Sequence, residues 1–276
     1  CPVRRGVITG IRPYARYHAH RSIRHLMVVS IVGSQFTAGA ECVVRPTTPA
    51  ASSTLNRQHC HTEGGITACN VTASVPETAR QSPTVVAIYG AALPPSVTLS
   101  AAAPQRAIVS AFATSLEPGL SGQQATIEAA KARYNAAAQQ SIADLSSSHA
   151  LSWARLWASD LQIGGNVSAT ASLRSSLYYI LSSVREDWAY GSSPGGLPST
   201  SYHGHCFWDM ETWFYPPLVL TQPGIATAIT TYRQRMVPEA QRLAAATGYV
   251  GARFPWQSAV TGAECSPRAN NVSLSL

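Results

Sequence analysis

A chain of 276 residues has room for two domains or one large one. It is 45% apolar and only 12% charged, about half the charged share of an ordinary globular domain, so Ser, Thr, Ala, Gly and Pro supply the surface polarity, as suits an extracellular protein. The formal net charge of +7 raises nucleic-acid binding, but Lys131 is the sole lysine and the arginines are scattered; the densest cluster, Arg12, Arg16, Arg21 and Arg24 interleaved with His18, His20 and His25, matches no nucleic-acid motif, so no nucleic-acid partner is expected.

Residues 1 to 118 read as β-structure. Short β-branched runs recur at Val7-Ile8-Thr9, Met27 to Val32, Cys42-Val43-Val44, Thr84 to Tyr89, Val97-Thr98-Leu99 and Ile108 to Phe112, separated by Pro, Gly and Ser clusters. That punctuation predicts a sandwich of short strands. The stretch from Thr47 to Glu63 reads as an exposed loop. Leu26 to Val32 is too short to cross a bilayer, so no membrane span is expected.

The texture changes near Leu120. Ser121 to Ser148 is rich in Ala and Gln and free of Pro, which predicts a connecting helix. Trp153, Leu156 and Trp157 fall on one apolar face, and both tryptophans are expected in a core. Residues 168 to 190 predict a second helix, with Leu173, Leu177, Ile180, Leu181, Val184 and Trp188 inward and Ser168 as its cap. A further helix is expected to begin near Asp209 and stop at Pro216-Pro217 or soon after. Another runs from about Pro223 to Thr247, turning Ile225, Ile229, Tyr232, Met236, Ala240 and Leu243 inward and ending at Gly248.

The six cysteines, Cys1, Cys42, Cys60, Cys69, Cys206 and Cys265, include no C-x-x-C pair, which disfavours a zinc ribbon. His59-Cys60-His61 offers metal-ligand types, but a disulfide between Cys60 and Cys69, or between Cys42 and either, is preferred. The reason is compartment: Asn70-Val71-Thr72, Asn166-Val167-Ser168 and Asn271-Val272-Ser273 are N-glycosylation acceptors, and disulfides persist where glycans are added. Secretion or cell-surface display follows, with no metal and no cofactor expected.

Chemistry concentrates in two segments. Tyr202 to Tyr215 crowds aromatics, two histidines, Asp209 and Glu211 into a loop-to-helix junction, and Gly248 to Ala259 puts Trp256 beside Gln257 after a helix. Sugars call for this mixture, because ring C–H faces stack on aromatics while hydroxyls donate to carboxylates. Two such loops at the same end of neighbouring helices would make one pocket. Against that stand plainer roles: Asp209 as a helix N-cap, Trp208, Trp213 and Trp256 as core, and His203-x-His205 as a weak metal pair.

At Ser193-Pro194-Gly195-Gly196-Leu197, at Gly204-His205-Cys206-Phe207-Trp208-Asp209-Met210-Glu211-Thr212-Trp213, and from Gly248-Tyr249 through Thr261-Gly262-Ala263-Glu264, the chain resembles glycoside hydrolase family 65. That family includes acid trehalases, glucosylgalactosylhydroxylysine glucosidases, and maltose, trehalose and kojibiose phosphorylases. The resemblance covers about 149 to 267 and is architectural only over 1 to 118. It implies an α+β multidomain chain: a partial β-sandwich over 1–118, a helical linker over 119–160, and the first helices of an (α/α)6 barrel over 161–276. It also implies an α-glucoside or glycan ligand. Trp208 and Asp209 would hold the ring hydroxyls, with Phe207, Trp256 and Gln257 completing the substrate-binding set.

Members of that family invert the anomeric centre, which requires an acid and an activated nucleophile on opposite faces of the sugar. The family's acid is a Glu expected downstream of Leu276, so no catalytic residue is assigned within the chain, which is expected to be inactive alone. The usual Glu after Pro-Trp is here Gln257. Both ends read as cut, which would leave apolar helix faces for a partner chain or the remainder of the barrel. Two readings follow: a secreted inverting α-glucosidase of trehalase or glucosylgalactosyl-hydroxylysine type, or a non-catalytic carbohydrate-binding or structural glycoprotein derived from it.

Overall fold

The computed structural model describes residues 13–36, 40–45, 55–73, 77–78, 81–196 and 201–266. They fall into two compact units, one of Cys1–Pro76 with Ser82–Ala154 and one of Glu77–Gln81 with Arg155–Leu276. The Val7-Ile8-Thr9 run, Leu197, Cys1 and Asn271 lie outside the described residues.

The first unit is an antiparallel sheet with apolar layers on both faces. Its strands are β1 (Tyr14–Ala19), β2 (Leu26–Val32), β3 (Glu41–Val44), β4 (Leu55–Glu63), β5 (Ile66–Ala73), β6 (Val85–Ala91), β7 (Val97–Ser100) and β8 (Gln105–Thr114). Six pair in the order β1-β2-β8-β6-β5-β4, and β3 pairs with β7 in a second, two-stranded sheet. Side chains alternate along a strand, so β2 serves both layers. Leu26 and Val28 pack with Ala111, Ala137 and Leu145, while Ile31 packs with Ile108, Cys42, Val97 and Leu99 between the two sheets. The runs predicted at Met27, Cys42, Thr84, Val97 and Ile108 all lie in strands. The expected loop from Thr47 to Glu63 does not hold over its second half. Leu55–Glu63 is β4, paired with β5 through a Gly64-Gly65 turn whose positive φ angles glycine adopts without strain. Cys60 and Cys69 face each other across that hairpin and form the disulfide; Cys42 is a buried free thiol.

Two helices follow. Ala130 of α1 (Gly122–Ala138) packs on Ala87 and Ala113 of the sheet, all fully buried, so the run of alanines lets the helix backbone approach closely as well as favouring helix. The helix predicted to run unbroken to Ser148 instead stops at Gln139 and restarts as α2 (Ile142–Leu156). Ser141 causes the break. Its hydroxyl accepts from the Asp144 amide (3.1 Å) and donates to the Asp144 carboxylate (2.6 Å), a reciprocal cap that starts a new helix. Trp153 and Trp157, expected in a core, are only half-buried.

The second unit holds α3 (Val167–Ser183), α4 (Tyr215–Thr221) and α5 (Pro223–Ala246). Helix α3 is capped by Asn166, not Ser168: the Asn166 side chain accepts from the Ala169 amide at 2.9 Å. It stops at Ser183, short of the predicted 190, because Val184 turns extended. Trp188 then lies in the following turn, donating to the Gly191 carbonyl. The helix expected to begin near Asp209 does so: a π-helical turn (Met210–Phe214) runs directly into α4, which holds the two prolines in its first turn, where they are tolerated, and ends soon after them at Thr221. Helix α5 buries Ile225, Ile229, Tyr232, Met236, Ala240 and Ala244; Leu243, expected inward, is only half-buried because Ala244 takes the stripe position. It closes at Gly248 (φ +83°), with Gly248 donating to Ala245 and Tyr249 to Ala244, the paired bonds of a glycine-terminated helix. Among the described residues no helix is long and apolar enough to cross a membrane.

Arg133 of α1 joins the end of β8 to the turn beyond it. It donates to the Phe112 carbonyl (2.9 Å) and to both oxygens of Glu117 (3.0 and 2.5 Å). Burial pushes the Glu117 carboxyl up, but hydrogen bonds from Arg133 and Thr114 outweigh it and the net pKa is lowered. A lowered carboxyl pKa contributes stability that is present above the unfolded value of 4.5 and lost as pH falls through the folded one. Glu117→Gln should therefore unfold at lower urea, by about 1–3 kcal/mol at pH 7, with the gap to wild type closing below pH 4.

Candidate functional site

Two loops of the second unit are stitched into one surface. Cys206 and Ser258 form an antiparallel bridge, each amide donating to the other's carbonyl at 2.8 and 3.0 Å. That bridge brings the Tyr202–Asp209 segment and the Phe254–Gln257 segment together. The approach is tight behind it: a side chain on Gly191 would collide with Cys206 and Met210.

Arg233 of α5 fixes both strands of the bridge. Its Nε and Nη2 hold Glu211 in a two-pronged pair (2.6 and 3.0 Å), Nη2 also donates to the Phe207 carbonyl (3.0 Å), and Nη1 donates to Ser258 Oγ (3.0 Å). Burial opposes the guanidinium charge, yet Glu211 more than restores it, so its pKa is raised. Tyr232, fully buried, gives its hydroxyl proton to the Ala259 carbonyl at 2.7 Å, which leaves Ser258 to donate to the Tyr232 oxygen at 2.9 Å. Burial raises the Tyr232 pKa, so the phenol stays protonated.

The Trp256-Gln257 loop is pinned by two carboxylates. Glu264 accepts from the amides of Trp256 (2.8 Å), Gln257 (3.1 Å) and Ser266 (3.0 Å). Burial pushes Glu264 up, but the bonds from Ser266, Trp256 and Gln257 outweigh it and its pKa is lowered. Glu77 accepts from the amides of Val260 and Thr261, both at 2.8 Å. Burial drives the Cys206 thiol up to about 11, and burial with the Glu77 charge drives Cys265 up to about 12; both are protonated, unreactive thiols at neutral pH.

On this frame stand the residues singled out by sequence. Phe207 is buried, edge-on to Tyr202 (5.4 Å between centroids) and to Trp256 (6.2 Å). Trp208, Trp213 and Trp256 are 50, 62 and 59% exposed, so they are not core. Asp209 is half-buried at the start of the π-helical turn Met210–Phe214 and its side chain makes no cap bond, so the N-cap alternative does not hold. Gln257 is half-buried, and its Oε1 accepts from His205 Nδ1 at 2.9 Å, leaving its amide N–H groups for a ligand. Tyr202, His203 and Gly204 are consecutive residues at positive φ (63, 52 and 75°); two non-glycine residues there store local strain, a frequent mark of binding sites. Beyond them, Ala244, Tyr249, Val250, Ala252 and Arg253 line a surface depression of about 380 Å³. Among the described residues no cluster of three His, Cys, Asp or Glu is placed to hold a metal ion. Sequence reasoning missed the framing roles of Arg233, Glu211, Ser258 and Glu77, because nothing along the chain signals which distant polar groups will meet.

With this geometry, comparison with known proteins is specific. Residues 174–274 match the glycosyl hydrolase family 65 central catalytic domain. The chain is 32% identical over 274 residues to a protein-glucosylgalactosylhydroxylysine glucosidase of Dictyostelium discoideum, covering 91% of this chain and 36% of that protein. It is 43% identical over 119 residues to a kojibiose hydrolase of Flavobacterium johnsoniae, covering 43% of this chain and 18% of that protein. A solved structure described as a kojibiose phosphorylase from the human microbiome superposes with a TM-score of 0.70 at 17% identity, over 93% of this chain and 36% of that one; it shows a shared fold. The chain thus spans about a third or less of the length of these relatives.

Replacing Arg233 should loosen both loops at once. Arg233→Met strands Glu211, Ser258 and the Phe207 carbonyl, and urea unfolding should show a loss of about 1–3 kcal/mol. Arg233→Lys should recover little of it, since an ammonium cannot reproduce the planar fork. Amide exchange at Cys206 and Ser258 should quicken in both variants; unchanged exchange would show that the bridge stands without the arginine.

Proposed function

We propose that this chain, a member of glycosyl hydrolase family 65 over residues 174–274, supplies the glucosyl-binding part of an extracellular inverting enzyme that cleaves an α-glucosyl linkage. The observation that carries the reading is the surface around Phe207. Trp208 and Trp256 are exposed beside the buried Phe207 ring, and the Asp209 side chain is not spent on capping its own helical turn. Trp208 stacks on the sugar, Asp209 accepts from its hydroxyls, and Gln257 donates through its amide. The relatives, named for glucosylgalactosylhydroxylysine and kojibiose, support a glucosyl group as the ligand. The same reading takes α3, α4 and α5 as opening helices of an (α/α)6 barrel.

The residues at hand bind rather than protonate. A general acid needs a carboxyl pKa raised toward the working pH. Glu211 is committed to Arg233, and Glu264 has its pKa lowered by amide donors. This favours, for the chain by itself, ligand binding without turnover. Kojibiose and methyl α-glucoside should quench tryptophan fluorescence of the 276-residue chain. Trp208→Ala and Asp209→Asn should each weaken binding about tenfold or more, the loss expected for a charge-assisted hydrogen bond or its equivalent. Binding unaffected by both changes would move the site elsewhere, and release of glucose would defeat the binding-only assignment.

Secretion draws support from the Cys60–Cys69 disulfide and from Asn166, which is exposed. Asn166 caps α3 through Oδ1, which leaves Nδ2 for a glycan. In a glycosylating host, Ser168→Ala should remove the glycan and keep stability, whereas Asn166→Ala should also cost about 1 kcal/mol of cap. A wild-type mass showing no glycan at Asn166 would refute its use as an acceptor.

A further inference from the structure

We propose that His18, His20 and His149 form an acid-released latch that holds α2 against the β1–β2 turn. His149 of α2 meets two rings from the far end of the chain, His18 on β1 and His20 just after it: His18 and His149 lie 4.3 Å apart between centroids, His20 and His149 5.5 Å. Two of the three, His20 and His149, are held in a way that only the neutral ring allows. His149 Nδ1 accepts from the Arg21 amide at 3.1 Å, and His20 Nδ1 accepts from the Ile23 amide at 3.0 Å. Both amides sit in the turn, and both bonds need the nitrogen lone pair. His20 then carries its proton on Nε2 and donates to the Leu145 carbonyl of α2 at 2.8 Å, with Ser148 Oγ 3.1 Å away. His18 Nε2 is buried without a hydrogen-bond partner, a position in which a cationic N–H would be unpaired.

The surroundings deepen the effect. The charged neighbours acting on the rings are cationic: Arg16 on β1 beside His18, and Arg21 in the turn beside His149. Arg21 also stacks over Trp153 of α2 at 5.2 Å. On α2, Asp144 is exposed and occupied with Ser141. His25, at the end of the same turn, lies instead against Glu117 and Phe112. A proton added to any of the three rings therefore meets another ring, an arginine or a backbone N–H, and no carboxylate.

Burial, followed by the neighbouring cations, lowers His149 from 6.5 to about 4, and burial lowers His18 and His20. The sign is the reverse of an ion-paired histidine. The lowered value means that the latch contributes fully above the unfolded 6.5 and weakens as pH falls toward 4. Most of this window lies above the range in which carboxylates titrate, so the two effects separate.

The test follows the Arg21 and Ile23 amides of the 276-residue chain by hydrogen exchange, corrected for the intrinsic pH dependence of exchange. From pH 7 to 5, linkage through His149 alone raises the opening constant about 20-fold, and both amides should show it while the β2–β8 ladder does not. A change of twofold or less overturns the latch. In His149→Gln, whose side-chain oxygen still accepts from Arg21, that acceleration should fall several-fold; an undiminished acceleration also overturns it. Should the variant not fold, the His149 ring proton signal of the wild type decides: titration near 4 supports the latch, and titration at or above 6.5 refutes it.

Discussion

The Arg233 guanidinium is the contact on which the site depends. It is a largely shielded cation in a sparsely charged chain, and a shielded charge persists only with acceptors to hold it. Glu211 supplies the opposite charge, and the Phe207 carbonyl and Ser258 hydroxyl take the remaining donors. Those acceptors flank Trp208-Asp209 on one loop and follow Gln257 on the other. Neutralising one arginine therefore sets the register between two loops bridged at Cys206 and Ser258, 52 residues apart in the chain. Tyr232, one residue earlier on α5, adds the uncharged half of the same clamp.

A frame of this kind explains how bulky aromatics remain at the surface. Exposed tryptophans cost solvation, and their positions are held because the backbone beneath them is fixed by Arg233, Glu264 and Glu77. Rigid presentation lowers the entropy lost when a ligand binds. The carboxylates divide accordingly: Glu211, Glu264 and Glu77 are consumed in holding loops, while Asp209 is not spent on capping its helical turn.

The first unit solves a different problem, that of a sheet with two apolar faces. Small side chains at Ala87, Ala113 and Ala130 bring α1 close on one face, and the β3–β7 pair covers part of the other. Its polar contacts are of two electrostatic kinds. Arg133 and Glu117 form an ion pair that is strengthened by keeping its charges, whereas His20 and His149 accept backbone amide bonds that require a neutral ring nitrogen. Both kinds weaken in acid, but over different pH ranges.

Local chemistry was legible in the sequence wherever it is dictated by near neighbours. β-Branched runs gave β2, β3, β6, β7 and β8, the helical stripe of α5 emerged from its 3.6-residue period, and Gly248 marked the helix end. Trp208, Asp209, Trp256 and Gln257 could be singled out as candidates because aromatic, carboxylate and amide residue types crowd along the chain there. Strand β4 escaped notice, since its polar stretch Asn56 to Thr62 lacks alternation and is held by pairing to β5 and the Cys60–Cys69 bond. The break at Ser141 was hidden by the helix propensity of the alanines around it, which a side-chain cap overrode. What only the tertiary structure decided was the meeting of distant polar groups: Arg233 with Glu211 and Ser258, Glu77 with Val260 and Thr261, His149 with Arg21. Those contacts arise because buried charges and backbone amides must find partners in space, and sequence separation places no constraint on which partners they find.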